Sequence, residues 1–439
     1  MNNSFNPANA AGLDAHTKSL VERRQRLLGP AYRLFYNTPV EFVRGQGVKL
    51  WDADGNEYLD AYNNVVSVGH AHPRVNEAVA KQMETLCTHT RYLQEGILNY
   101  AEQLLATYGG SMAAEGHTMF TCTGSEANDL AIRIAQHHTG KRGIIVTQEA
   151  YHGNSFLTAG FSPSLGEHSP LGTFVRQVPA PDTYRIPKDQ IADYFADQVS
   201  LQIKDLERHG DGLAAFVVDS LFSSDGIYSE PAGMMKKVID VVHEAGGVFV
   251  ADEVQCGFGR GGDSMWGYQR YGLDPDIVTM GKPMGNGYPV AGIAVKHDIL
   301  ETFAYDSRYF NTFGGNTVAM AAAQAVLNVI QEEKIVENSN KVGAFLKAGL
   351  NELAKSFDLI GDVRGSGLYY GVELVTDRAT KTPDAPSTAK VVNGLRERRV
   401  LISTTGAAAN TLKIRPPLVF SQENATHLLT ELEATLKSI

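Results

Sequence analysis

Residues 247–255, Gly247-Val248-Phe249-Val250-Ala251-Asp252-Glu253-Val254-Gln255, form an unbroken apolar run that ends in two carboxylates. A strand that is apolar on both faces belongs in a parallel sheet covered by helices on either side. Three further runs share this character: Gly143-Ile144-Ile145-Val146-Thr147, Ala215-Phe216-Val217-Val218 and Asp276-Ile277-Val278-Thr279. Between Val218 and Gly247, Pro231 suits a first helical turn, Val238, Val241 and Val242 give apolar spacing, and Gly246-Gly247 offers a stop. The alternation predicts βαβ units and an α/β fold, with a mostly parallel central sheet flanked by helices.

Outward from this core the pattern changes. Residues 49–62, KLWDADGNEYLDAY, alternate on both sides of Asp54-Gly55-Asn56, which predicts a tight hairpin outside the main sheet. Beyond the sheet, a helical stretch from Val318 to Ile335 leads into a βαβ-like segment that contains Leu368-Tyr369-Tyr370-Gly371-Val372-Glu373 and Thr411-Leu412-Lys413-Ile414. A chain of 439 residues exceeds what one core usually holds. The expected division is an N-terminal segment with a small antiparallel element (1–65), a large domain (66–318) and a smaller α/β C-terminal domain (319–439).

The composition, 43% hydrophobic and 20% charged, is that of an ordinary globular protein. A formal net charge of -10 opposes binding to a polyanion, so no nucleic-acid partner is expected. No apolar stretch is long enough to span a membrane, and the first residues lack the basic and apolar regions of an export signal. Cys87, Cys122 and Cys256 are too few and too scattered for a disulfide framework or a zinc site. No metal is expected, and the thiols suit a cytoplasmic protein.

The chemistry gathers at strand ends. Thr121-Cys122-Thr123-Gly124-Ser125-Glu126 lies between a strand and a helix, where free amides and the positive helix terminus suit a phosphate. An ordinary Ser or Thr cap with an acidic first turn would account for these residues alone. Asp252 and Glu253 end the next-but-two strand, where ligands collect in parallel sheets, although paired carboxylates there could equally bind a metal, cap a helix or form a salt bridge. Lys282 ends the following strand, flanked by Gly281, Pro283, Gly285 and Gly287 on a turn that admits a ligand closely. Most lysines are solvated surface charges. Together, however, a phosphate cup, a carboxylate for a ring nitrogen and a lysine to form an imine match the needs of pyridoxal 5′-phosphate.

In this combination and order the chain resembles the class III aminotransferases of pyridoxal-phosphate fold type I, from about residue 37 onward. The resemblance implies that Gly124 and Ser125 hold the cofactor phosphate, that Tyr151 stacks on the ring with His152 nearby, and that Lys282 carries the cofactor. It implies further that Asp252 pairs with the ring nitrogen, that Val254 packs on a ring face, and that Gln255 approaches the ring hydroxyl. Thr312, in Asn311-Thr312-Phe313-Gly314-Gly315-Asn316, resembles a residue that reaches the cofactor phosphate of a neighbouring subunit, which implies a homodimer and leaves open its further association into a tetramer.

Two departures bear on the reaction. Where many transaminases have a Glu-Pro-x-x-Gly-like stretch, this chain reads Asp219-Ser220-Leu221-Phe222-Ser223-Ser224-Asp225-Gly226. Where many carry Leu-Arg-Ile, with the arginine clamping a substrate carboxylate, it has Leu412-Lys413-Ile414-Arg415-Pro416-Pro417-Leu418. Lysine lacks the bidentate fork, unless Arg415 takes over the same task. The segments around Arg91, Tyr184 and Lys282 are similar to those of the ethanolamine-phosphate phospho-lyases. That resemblance predicts a lyase acting on a small amino-alcohol phosphate, with Arg91, Lys413 and Arg415 as candidate substrate ligands. An ω-aminotransferase is the alternative. A non-catalytic binding module is disfavoured, since it would be expected to lose Lys282 or Asp252.

Overall fold

The computed structural model describes residues 3–439. The alternating stretch ahead of the apolar runs folds as expected: β1 (Phe42–Gln46), β2 (Lys49–Asp52) and β3 (Glu57–Asp60) form an antiparallel ladder. Asp52 accepts the amides of Asp54 and Asn56 at 3.1 and 2.8 Å, and Gly55 takes a φ of +82°, which turns the chain.

Seven strands make the central sheet: β4 (His117–Thr121), β5 (Gly143–Thr147), β6 (Val175–Val178), β7 (Leu213–Asp219), β8 (Val248–Asp252), β9 (Ile277–Met280) and β10 (Ala291–Val295). Their spatial order is β4-β10-β9-β8-β7-β5-β6, with β9, β8, β7, β5 and β6 parallel and β10 antiparallel to both of its neighbours. Every residue of β5, β8, β9 and β10 is buried, because helices cover both faces. Val248 and Val250 pack toward the helix Gly124–Thr139, whereas Phe249 and Ala251 pack toward the helices Ile191–Arg208 and Lys236–Glu244. This alternation decides which carboxylate at the end of β8 can enter which side of the sheet.

One helix differs from its expectation. The crossover helix before β8 is Lys236–Glu244, and Pro231 lies ahead of it rather than in its first turn. Gly233, at a φ of +88°, breaks the helical path between them.

The C-terminal third contains β11 (Ile360–Ser366), β12 (Tyr369–Asp377), β13 (Thr382–Pro383), β14 (Val400–Leu401), β15 (Ser403–Thr405) and β16 (Thr411–Ile414). The sheet β11-β12-β16-β15 is antiparallel throughout, with β13 on β12, so the βαβ-like reading of residues 368–373 and 411–414 is corrected. A helix, Ala385–Glu397, does lie between β12 and β16. The chain then doubles back through a β15–β16 hairpin, with Gly406 at φ +84°, and that reversal makes β16 antiparallel. The helical stretch expected from Val318 to Ile335 is two helices, Thr317–Glu332 and Ile335–Ser356, separated at Lys334 with φ +52°. β14 pairs in parallel with β3, so the two ends of the chain share one sheet.

Candidate active site

A cavity of about 280 Å³ opens at the C-terminal ends of β7, β8 and β9 and the turn after β4. At that turn Thr123 caps the helix Gly124–Thr139. Its Oγ1 accepts the Glu126 amide at 3.2 Å, while the Glu126 carboxylate accepts the Cys122 and Thr123 amides at 2.8 and 3.1 Å. The cap therefore consumes the flanking donors. The Gly124 and Ser125 amides, on the cavity lining, have no acceptor among the described residues. A side chain at Gly124 would place its Cβ 2.9 Å from Val254, so the turn requires glycine for close approach. Ser125 Oγ donates to Asn154 Oδ1 at 3.1 Å and accepts its amide at the same distance.

Asp252 points to the same side of the sheet as Val248 and Val250, and so into the cavity. Its Oδ2 accepts His152 Nδ1 at 2.6 Å and Asn128 Nδ2 at 2.9 Å, and its Oδ1 accepts the Val254 amide at 3.0 Å. Burial alone would raise this carboxyl; the hydrogen bond and charge of His152, the Val254 amide and the Lys282 charge outweigh it and hold Asp252 below its ordinary value. Sequence reading missed Asn128. It lies one helical turn beyond Gly124 on the same face, and that spacing was the available signal. Thr279, opposite Asp252 in register, donates to Asn128 Oδ1 at 2.7 Å and fixes the amide's orientation.

Lys282 lines the cavity, and burial followed by the Arg415 charge lowers its basicity against the opposing pull of Asp252 and Asp219. A lysine with lowered basicity is a better nucleophile and base near neutral pH. Asp219 also faces the cavity, beside Asp252 in register, and burial and then the Asp252 charge raise its carboxyl.

Tyr151, His152, Val254 and Gln255 line the cavity, so the structure brings together every expected cofactor residue except Thr312. Thr312 is exposed, as is Arg91, whose guanidinium sits 4.0 Å over the Phe310 ring. Lys413 and Arg415 are buried behind the lining. Lys413 Nζ donates to Ser223 O at 3.2 Å, while Arg415 donates to Gln255 Oε1 and, at 3.2 Å, to Tyr62 O.

Comparison with known proteins settles the family. Residues 34–436 match the family model described as aminotransferase class-III. The chain belongs to the class III aminotransferases. Among this family's members it is 37% identical to ethanolamine-phosphate phospho-lyase homolog 1 of Caenorhabditis elegans, over 99% of this chain and 96% of the relative. It is also 38% identical to an alanine–glyoxylate aminotransferase 2-like protein of Drosophila melanogaster, over 95% of this chain and 87% of the relative. A solved phospholyase from Arthrobacter, in complex with phosphoethanolamine, superposes with a TM-score of 0.92 at 41% identity, covering 96% of this chain and all of that one. The chain is an enzyme, and its cofactor is pyridoxal 5′-phosphate. The cavity suits this group: two amides at a helix N-terminus with no partner among the described residues, for a phosphate, a carboxylate held below its ordinary pKa and a half-buried lysine.

The second carboxylate of the pair serves the scaffold of this class III enzyme. Glu253 turns to the opposite side of the sheet, where it accepts Ser220 Oγ at 2.6 Å and the Gly267 and Tyr268 amides at 2.7 and 2.8 Å. Burial pushes its carboxyl up to about 7. Glu253→Ala leaves both amides buried without an acceptor, at a cost on the order of 1–3 kcal/mol each. The expected result is a clearly lower thermal midpoint, with cofactor binding retained. An unchanged midpoint would refute the assignment.

Proposed function

We propose that this enzyme is a phospho-lyase that eliminates phosphate from ethanolamine phosphate, or a close amino-alcohol phosphate, leaving an aldehyde and ammonia after hydrolysis. The observation that carries this reading is the 41% identity, over 96% of the chain, to a phospholyase solved with phosphoethanolamine. Lys413 adds support. Where the amino-acid transaminases carry an arginine for the substrate carboxylate, this lysine spends its ammonium on Ser223 O and offers no bidentate clamp.

Bound pyridoxal phosphate supplies an electron sink for the carbon that bears the amine. In this reading the Gly124 and Ser125 amides would hold its phosphate, Tyr151, His152, Val254 and Gln255 would line its ring, and Asp252 would hold a proton at its ring nitrogen. Lys282, on the cavity lining, would hold the group covalently and would remove the proton from the amine-bearing carbon of the substrate. The neighbouring carbon–oxygen bond then breaks, phosphate leaves with the electron pair, and water releases the aldehyde and ammonia. Of the cations proposed for the substrate phosphate, Arg415 contacts the lining residue Gln255, Lys413 is buried against Ser223 O, and Arg91 is exposed. Thr312 is proposed to complete the phosphate site of a neighbouring subunit in a homodimer.

Product analysis tests the reading. Ethanolamine phosphate should yield inorganic phosphate and ammonia in equal amounts with no keto acid present. The Drosophila relative's name favours the alternative. Steady exchange between amines and keto acids, with no phosphate released, would establish an ω-aminotransferase instead.

A further inference from the structure

We propose that Arg185 is a positioning residue: with Asp182 and Tyr184 it forms a strap that seats the C-terminal sheet, and with it Lys413 and Arg415, without touching the cavity. This rests on the reading that β16 brings the substrate's cations to the site.

The segment around Tyr184 stands out in the sequence, yet none of residues 181–185 lines the cavity. It leaves the end of β6 and crosses to β12. Asp182 Oδ1 accepts the Tyr184 and Arg185 amides at 3.0 and 3.2 Å, a local turn that aims the Arg185 guanidinium outward from its own loop. Its Nη2 donates to Glu373 Oε1 at 2.7 Å and to Lys381 O at 3.2 Å, while Nη1 returns to Asp182 Oδ2 at 2.8 Å. In the other direction, Lys381 Nζ donates to Tyr184 O at 2.7 Å. Glu373 is buried, and its second oxygen pairs with Arg364 at 2.7 Å. Burial alone would raise the Glu373 carboxyl; the Arg364 charge and the Arg185 hydrogen bond outweigh it and hold it below its ordinary value.

Glu373 stands opposite Thr411 in register, and Gly371, two residues earlier, stands opposite Lys413. The twofold alternation of the strands puts all four on one face. That face lies on the loop after β7, beside the small apolar cluster of Leu221, Ile227, Cys256 and Tyr369, and is held there by donors to main-chain carbonyls. Lys413 Nζ and Thr405 Oγ1 donate to Ser223 O at 3.2 and 2.8 Å, the Gly406 amide to Ser224 O at 3.1 Å, and Arg364 Nε to Gly226 O at 2.8 Å. A side chain at Gly371 would put its Cβ 3.1 Å from Gly226 O, so sheet and loop touch directly. The same loop begins at Asp219, on the cavity lining. Arg185 ties down the end of this seam opposite to Lys413. Its removal leaves Glu373 still paired with Arg364, so the fold should hold while the seam loses its outer tie.

Arg185→Met and Arg185→Lys, compared as holoenzymes with ethanolamine phosphate, separate the strap from general stability. Arg185→Met should raise KM about 3- to 10-fold, the loss of one exposed charge-assisted contact, with kcat and the visible spectrum of the bound cofactor close to the parent. Arg185→Lys keeps a charge for Glu373 but not the fork that also holds Asp182, and should recover part of the KM. At high salt the ratio of variant to parent KM should shrink, because Arg185 is exposed. A parental KM in Arg185→Met overturns the proposal. So does a loss of kcat or of cofactor occupancy as large as the change in KM, which would mark general loosening. If Arg185→Met does not fold, Lys381→Met, which removes the tie to Tyr184 O, should raise KM in its place, and an unmoved KM there overturns the proposal. Lys413→Met and Arg415→Met are the controls for the underlying reading. If neither raises KM, β16 does not bring the substrate's cations and the proposal falls with that reading; if either does while Arg185→Met does not, the strap alone is wrong.

Discussion

Lys282→Ala is expected to stop phosphate release from ethanolamine phosphate altogether and to abolish covalent retention of the cofactor after borohydride reduction. Proton transfer by a positioned side chain contributes about 10²–10⁴-fold. In the proposed mechanism the same variant also loses the amine that anchors the cofactor, so the residual rate should fall below detection. No other lysine lines the cavity: Lys413 is buried off the lining, with its Nζ donating to Ser223 O. The fold should persist, because burial works against a charged Lys282, so its loss removes no favourable buried charge, and Arg415 remains beside the site. Peptide mass spectrometry of the reduced parent enzyme is the direct check. A cofactor found on Lys413, on another lysine or on none would refute the assignment.

Asp252→Asn is expected to lower turnover by at least about 10²-fold, the loss seen when a preorganised electrostatic partner of a reacting system is removed. Asparagine is the informative change. Alanine would leave His152 Nδ1, Asn128 Nδ2 and the Val254 amide without their acceptor in a sealed site, and the stability lost would blur the catalytic effect. Asparagine keeps one oxygen for His152 Nδ1 and Asn128 Nδ2, turns its NH2 toward the Val254 amide, and cannot carry the charge. Turnover measured at saturating cofactor, with cofactor occupancy followed by absorbance, separates loss of chemistry from loss of binding. Near-parental turnover at full occupancy would remove Asp252 from the mechanism.

Much of the site was legible because its parts are local. A glycine and hydroxyls at a strand-to-helix turn, carboxylates at a strand end and a lysine between glycines each follow from a few adjacent residues. The order of these parts along the chain was enough to name the cofactor. Gly124, Ser125, Tyr151, His152, Asp252, Val254, Gln255 and Lys282 all meet at one cavity. The four apolar runs likewise read directly as buried strands, since continuous hydrophobicity reports burial on both faces.

By itself, then, the sequence determined the buried strands, the family and the cofactor. The tertiary structure decided which groups face one another. Asp252 and Glu253 are neighbours in sequence and indistinguishable as letters. The twofold alternation of β8, together with the helix that covers each face, sends the first to the cavity and the second to the amides of Gly267 and Tyr268. Lys413 reads as a substrate ligand in sequence; pairing of β16 with β12 and β15 buries it off the cavity lining, with its Nζ on Ser223 O. The antiparallel course of β16 comes from the β15–β16 hairpin that follows the Ala385–Glu397 helix, a path that hydrophobic runs do not encode. The union of Thr279, Asn128, Asp252 and His152 spans a strand, a helix and a loop, with Asn128 and Asp252 separated by 124 positions. Periodicity and motif report only what lies within a few residues. Contacts across such separations exist only once the sheet has set the register of its strands.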